Sequence, residues 1–217
     1  MSEDGYVLDH PRPIAAEAPY TYFLPSPEIL AALAPGDLVK LIFRPIPPRE
    51  KWGAERMWVI ITEADGERLV GSLDNEPDDV PSLKPGDPVE FARHHVIDFD
   101  WAEGRAEPPP SSPTCRTFWD RCLVDRCVLE DGARIHFVYR GESNLTEDGD
   151  EYADSGWRIR GDYRGLDQEE IDARTCDYVA LGAVLNRDDS WLNLIDSPIG
   201  SAFIRDWETG DFVPLDE

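Results

Sequence analysis

The sequence predicts an α+β protein made of two small β-rich domains with short helices, the first a bent sheet or partly closed barrel. Three observations predict it. The run Gly104-Arg105-Ala106-Glu107-Pro108-Pro109-Pro110-Ser111-Ser112-Pro113 divides the 217 residues into nearly equal halves, and consecutive prolines favour an extended spacer that cannot pair as a central strand. Each half reads as short apolar runs separated by Gly, Pro and Asp turn signals. Hydrophobic residues make up 41% of the chain and include seven Trp, enough to build cores despite the charged content. The expected division is an irregular N-terminal arm at 1–24, a first domain at 25–103, a linker at 104–113 and a second domain at 114–217.

In order along the chain, the arm holds Pro11, Pro13 and Pro19 and is expected to lack regular structure. Ser26 is placed as N-cap, with Pro27 as the first residue of one or two helical turns. The phrase Leu33-Ala34-Pro35-Gly36-Asp37 returns as Leu83-Lys84-Pro85-Gly86-Asp87. Pro-Gly suits the two central positions of a type II turn, where Gly takes the positive φ, so each phrase should launch a strand. Residues 57–62 and 68–73 flank Asp65-Gly66 and read as a hairpin. A fifth segment, 95–99, closes the half.

In the second half, 121–129 and 134–140 read as a hairpin turning through Glu130-Asp131-Gly132. The alternation Ile135/Phe137/Tyr139 marks the buried side of its second strand, which sends His136 to solvent. An acidic loop at 142–154 has no basic residue. A short strand at 157–160 follows, then a brief helix with Asp167 as N-cap and Glu170 completing a capping box. Residues 178–185 are apolar and fit strand or helix equally. After Trp191-Leu192-Asn193-Leu194-Ile195, the run 202–205 is expected to be the last strand.

The formal net charge is -24 and the sequence pI about 4.3. Phosphate backbones and anionic membranes repel such a surface, so neither nucleic acid nor membrane is an expected partner. A strongly acidic protein is either simply soluble or matched to a basic partner. No apolar run approaches the roughly 20 residues a membrane span needs. The start, Met1-Ser2-Glu3-Asp4-Gly5, is acidic, with no apolar signal segment after it. The four Cys contain no C-x-x-C and lack the dense pattern of a secreted scaffold, which points to reduced thiols in the cytoplasm. The set Cys115, Cys122, Cys127 and His136 is spaced more loosely than structural zinc sites.

Chemistry-bearing clusters are few. His94-His95 lies beside Asp98 and Asp100, but neighbours on a strand point to opposite faces and would not chelate together. Ser155, Ser197 and Ser201 stand in no G-x-S-x-G, with no His nearby in sequence. Neither G-x-G-x-x-G nor a P-loop occurs. The expectation is therefore no catalytic residue, no cofactor, no metal and no enzymatic activity. Trp58, Trp157, Trp191 and Trp207 are expected to fill cores, with Trp157 the one nearest a surface groove.

Two resemblances add to this reading. Glu55-Arg56-Met57-Trp58-Val59, then Gly71-Ser72-Leu73-Asp74-Asn75-Glu76-Pro77, Gly86-Asp87-Pro88-Val89 and Ile97-Asp98 together resemble the uncharacterised bacterial domain DUF2314, over about 35–101. Here Phe99-Asp100 separates Asp98 from Trp101. Arg140-Gly141-Glu142, Asp154-Ser155-Gly156-Trp157-Arg158 and Asp196-Ser197-Pro198-Ile199-Gly200-Ser201-Ala202-Phe203-Ile204-Arg205 resemble the family DUF2185, grouped with Imm33-type immunity proteins of polymorphic toxin systems. The tract Gly161-Asp162-Tyr163-Arg164-Gly165 is shorter and more basic than its counterpart in that family.

The second resemblance implies a cytoplasmic immunity protein that neutralises a cognate, basic toxin protein by binding it. On that reading the acidic loop becomes the candidate partner surface. Its residues are Glu142, Glu147, Asp148, Asp150, Glu151, Asp154, Trp157 and Arg158. The alternative is a cytoplasmic small-molecule-binding or regulatory module with its ligand between the domains. A further alternative is a metal-assisted hydrolase.

Overall fold

A computed structural model describes residues 5–48, 53–146 and 149–215. Its contacts divide the chain into two compact units, Met1–Glu17 with Tyr22–Cys115, and Ala18–Thr21 with Arg116–Glu217.

The first unit is a curled antiparallel sheet in the order β1 (Gly5–Leu8), β2 (Leu38–Ile46), β3 (Glu55–Asp65), β4 (Arg68–Leu73), β5 (Pro88–Ala92). A sixth strand, β6 (Asp98–Asp100), also pairs with β2. β1 takes residues 43–46 of β2 and β6 takes 38–40, so two short strands share one flank. The result is the nearly closed, barrel-like sheet expected. Alternate residues fill the core: Val39, Leu41 and Phe43 face Met57, Val59 and Ile61, all at most 1% exposed.

Both Pro-Gly turns form as the sequence predicts. Gly36 and Gly86 adopt φ of 98° and 89°, and each following aspartate closes its turn twice. Asp37 and Asp87 donate their N–H to the carbonyls of Ala34 and Lys84, both at 3.1 Å. Their carboxylates accept from the N–H groups of the same residues, at 2.9 and 3.0 Å. Arg105, read as part of the spacer, is fixed in this unit. It donates to the buried Asp37 carboxylate at 2.8 Å and covers Trp101. Ser26 caps α2 (Pro27–Ala32) as expected.

Several expectations for this half need correcting. The arm is not irregular: it supplies β1 and a helix, α1 (Pro11–Glu17). β1 forms there because the β2 flank offers it backbone partners that sequence proximity does not reveal. His94 and His95 lie in a 3₁₀ turn, not on a strand. Their rings are 4.2 Å apart, with His10 stacked on His94 at 4.8 Å. Among the described residues, no group of three or more His, Cys, Asp or Glu is placed to hold a metal. Trp58 is only half-buried, under the Lys40 ammonium at 4.2 Å.

The second unit is a six-stranded sheet built from β7 (Arg121–Asp125), β8 (Ile135–Arg140), β9 (Asp154–Gly161), β10 (Cys176–Ala180), β11 (Ala202–Arg205) and β12 (Phe212–Pro214). The spatial order is β10-β7-β9-β8-β11-β12. The expected 121–140 hairpin does not form. A helix, α3 (Arg126–Glu130), turns the chain away, and β9 enters between β7 and β8, parallel to the former. β9 takes the centre because nearly all its residues can be buried: only Arg160 is not. The capping box predicted at Asp167 and Glu170 starts α4 (Gln168–Asp172). The ambiguous 178–185 run is both elements in turn, β10 and then α5 (Leu181–Leu185). β11 is not the last strand, since β12 returns beside it.

His136 is the clearest reversal. A register shift between Ile135 and Phe137 breaks the alternation, and His136 is turned inward to 5% exposure. Its ring stacks on Tyr163 at 4.2 Å and meets Trp207 edge-on at 5.2 Å. Trp207 is itself half-buried, with the Arg164 guanidinium 3.6 Å from its ring centre. Trp157 and Trp191 do fill the core, both fully buried and T-shaped to each other at 5.4 Å.

Ala18–Thr21 packs on the end of α5. Asn186 accepts from the Tyr20 N–H at 2.9 Å and donates to the Thr21 hydroxyl at 2.7 Å. Among the described residues, no helix is long and apolar enough to cross a membrane.

Candidate functional site

The motifs of the second half, scattered over some sixty residues of chain, meet in one place. β9 opens with Asp154, 7% exposed, whose carboxylate accepts from the N–H groups of Asn144, Leu145 and Gly156 at 3.0–3.1 Å. Arg158, four residues further along β9, closes a bidentate pair with it at 2.8 and 2.9 Å. Burial alone would raise the Asp154 carboxyl's pKa. The Arg158 fork and the backbone donors outweigh that and hold it below its ordinary 3.8. Trp157, between them in sequence, points to the opposite face and donates its indole N–H to the Ile195 carbonyl at 3.2 Å.

Arg140 ends β8 and ties both long motifs together. Its guanidinium donates to the Ser155 carbonyl at 3.0 Å and the Ser197 carbonyl at 2.7 Å. Its main chain exchanges hydrogen bonds with Ser201 and Gly200. The Ser155 hydroxyl donates to the Arg121 carbonyl at 2.6 Å and accepts from the Trp157 N–H at 3.2 Å. That hydroxyl is committed to structure rather than available as a nucleophile.

A cavity of about 170 Å³ lies beside this network, lined by Arg116, Phe118, Arg140, Ser155, Trp157 and Asp196 among others. An exposed bidentate pair, Arg116 on Asp196 at 2.6 and 2.8 Å, borders it. Sites for drug-sized ligands usually run about 300–1,000 Å³, so this hollow suits water or a small ion better than a metabolite.

The candidate partner residues separate into four groups. Asp154, Trp157 and Arg158 are buried and brace the sheet rather than face a partner. Asp150 is paired with Arg121, one oxygen at 3.0 Å, which lowers its carboxyl's pKa. Glu142 and Glu151 are exposed. Glu147 and Asp148 lie outside the described residues.

Sequence reasoning missed an apolar array on the solvent face of the sheet. Register places Tyr139 opposite Ala202, and Phe137 opposite Ile204, which in turn faces Val213. Leu215 extends the pairing through its N–H to the Ala202 carbonyl at 2.9 Å. The signal was present: Ala202-Phe203-Ile204 is apolar at consecutive positions, and only one side of a strand can face the core.

Comparison with known families gives two matches. Residues 122–216 match the family model described as Immunity protein Imm33 domain. Residues 26–121 match the one described as Uncharacterized protein conserved in bacteria (DUF2314). Both resemblances seen in the sequence therefore hold, the C-terminal one under the Imm33 name. No curated protein and no solved structure matches the chain.

Proposed function

We propose, from the premise that residues 122–216 match the Imm33 immunity protein domain, that this chain neutralises a cognate bacterial toxin by binding it directly. That match is the observation that carries the reading, and the charge arrangement supports it. From residue 116 on, every Lys-or-Arg position is an arginine. Arg116, Arg121, Arg126, Arg158, Arg160, Arg164, Arg174 and Arg205 each pair with an aspartate of the same unit. Eight of the eleven arginines in this stretch are thus spent internally, and carboxylates such as Glu142, Glu151 and Glu208 remain on the surface. A surface of that sign attracts a basic partner and speeds encounter.

In this reading the protein acts in the cytoplasm, without catalysis, by masking the toxin. Co-expression with toxin domains encoded beside the chain tests it, with growth as readout. Restored growth and a stoichiometric complex are expected. Undiminished toxicity with every such domain, at full expression of this protein, would overturn the proposal.

A further inference from the structure

We infer that the toxin-facing surface is the open face of β8, β11 and β12, where Phe137, Tyr139, Ala202, Ile204, Val213 and Leu215 form two apolar rows across three strands. This rests on the immunity reading and names the surface it uses.

The opposite face of these strands is accounted for: Val138, Phe203 and Phe212 pack into or against the core, and Arg205 is buried against the Ile135 carbonyl. The pleat then sends the six named residues the other way. Tyr139, Val213 and Leu215 are 38%, 42% and 50% exposed. Phe137 and Tyr139 stack at 5.5 Å, which presents a flat aromatic pair beside aliphatic neighbours. Solvated faces of antiparallel sheets are normally polar. A contiguous apolar patch with a polar surround marks an interaction surface more often than chance exposure does.

The surroundings indicate the occupant. On the β9 side lie Arg158 and Arg160, cross-strand neighbours of Tyr139 and Phe137, their charges held by Asp154 and Asp125. The β11–β12 turn carries Asp206, Glu208 and Asp211. Beyond the Tyr139 end the chain continues through exposed Glu142. An apolar centre with carboxylates at both ends fits a basic protein that presents apolar side chains between Lys or Arg.

A second copy of this chain fits poorly. Face-to-face association would set these carboxylates against their own copies in a protein of net charge -24. Strand addition at the β12 edge is hindered by Pro214, which has no N–H to give.

The test is binding of purified, catalytically inactive toxin domains encoded beside the chain to full-length variants at physiological salt. Tyr139→Ser/Val213→Thr should weaken the complex at least tenfold, because buried aromatic anchors dominate such interfaces. Glu208→Lys/Asp211→Lys, in an exposed turn, should slow association several-fold. Ile46→Ser/Ile60→Ser, equally exposed on the first unit, should leave affinity within threefold. Circular dichroism and melting curves confirm that each variant folds. Wild-type affinity in both second-unit variants, while the wild type binds and protects, overturns this surface and leaves the immunity reading standing. A wild type that neither binds nor protects overturns both.

Discussion

The Gly141 N–H donates to the Gly156 carbonyl at 2.8 Å, while the Gly141 carbonyl oxygen stands 2.3 Å from where a Cβ on Gly156 would lie. The two main chains meet at a distance only glycine permits. Gly156 is also at φ +81°, a region other residues enter at a cost. This close approach brings the end of β8 onto the start of β9 and lets Arg140 reach the Ser155 carbonyl.

Gly156→Ala should therefore destabilise the second unit by about 3 kcal/mol, the upper range for a strained backbone position combined with a clash. Gly165 has the same φ with nothing within 4 Å of its would-be Cβ. Gly165→Ala should cost only about 1 kcal/mol, the conformational part alone. Urea unfolding of both variants separates the two contributions, and equal midpoints would refute the steric one.

Arg158→Met leaves the Asp154 carboxylate buried without its cation. A loss of about 3–5 kcal/mol is expected for breaking such a pair. Adding Asp154→Leu should not restore stability, because three backbone N–H groups then lose their acceptor. A double-mutant cycle on thermal unfolding measures this, and recovery to wild-type stability in the double variant would contradict it.

Acid should weaken the protein in two stages. Burial pushes the pKa of His136 below its usual 6.5. His95 is lowered too, by burial first and then by His94 and His10. Both are more readily protonated unfolded than folded, so the stability they confer is complete above pH 6.5 and drains as pH falls through their folded values. The carboxylates follow. Asp162, held by Arg164 at about 2 against an ordinary 3.8, contributes above 3.8 and loses its contribution toward 2. His136→Asn should flatten the first stage in the second unit and His95→Asn in the first. Melting temperatures from about pH 2 to pH 8 provide the check.

If a basic toxin is the partner, association should slow as salt rises while dissociation changes little, since steering acts on encounter. Stopped-flow mixing at low and physiological ionic strength would show it. A salt-independent association rate would argue for a purely apolar contact.

Local chemistry was readable from sequence wherever a few adjacent residues decide a structure. Ser26-Pro27, the two Pro-Gly-Asp turns, Asp65-Gly66 and the Asp167/Glu170 box all formed because their hydrogen bonds close within a few residues. Pairing between distant segments was not readable. β7 is bonded to β9, which arrives some thirty residues later, rather than to β8. One extra residue at His136 reversed the reading of which side chains face in, because a slip of one changes the face. The site was legible as a motif and misread in its parts. Asp154, Trp157 and Arg158 belong together, but as a buried brace, and charge alone does not reveal burial.

The short passage of Ala18–Thr21 through the second unit bears on how this protein can be divided. A clone cut at the proline run, however natural that break looks on paper, would deliver the second half without Tyr20 and Thr21. It would strip the Asn186 side chain of its bonds to Tyr20 and Thr21 and leave open the face of α5 where Gly182 makes room for the Tyr20 carbonyl, 2.7 Å from its would-be Cβ. The two halves are therefore not interchangeable cassettes. A graft of the second half onto another protein would have to carry the Ala18–Thr21 peptide with it.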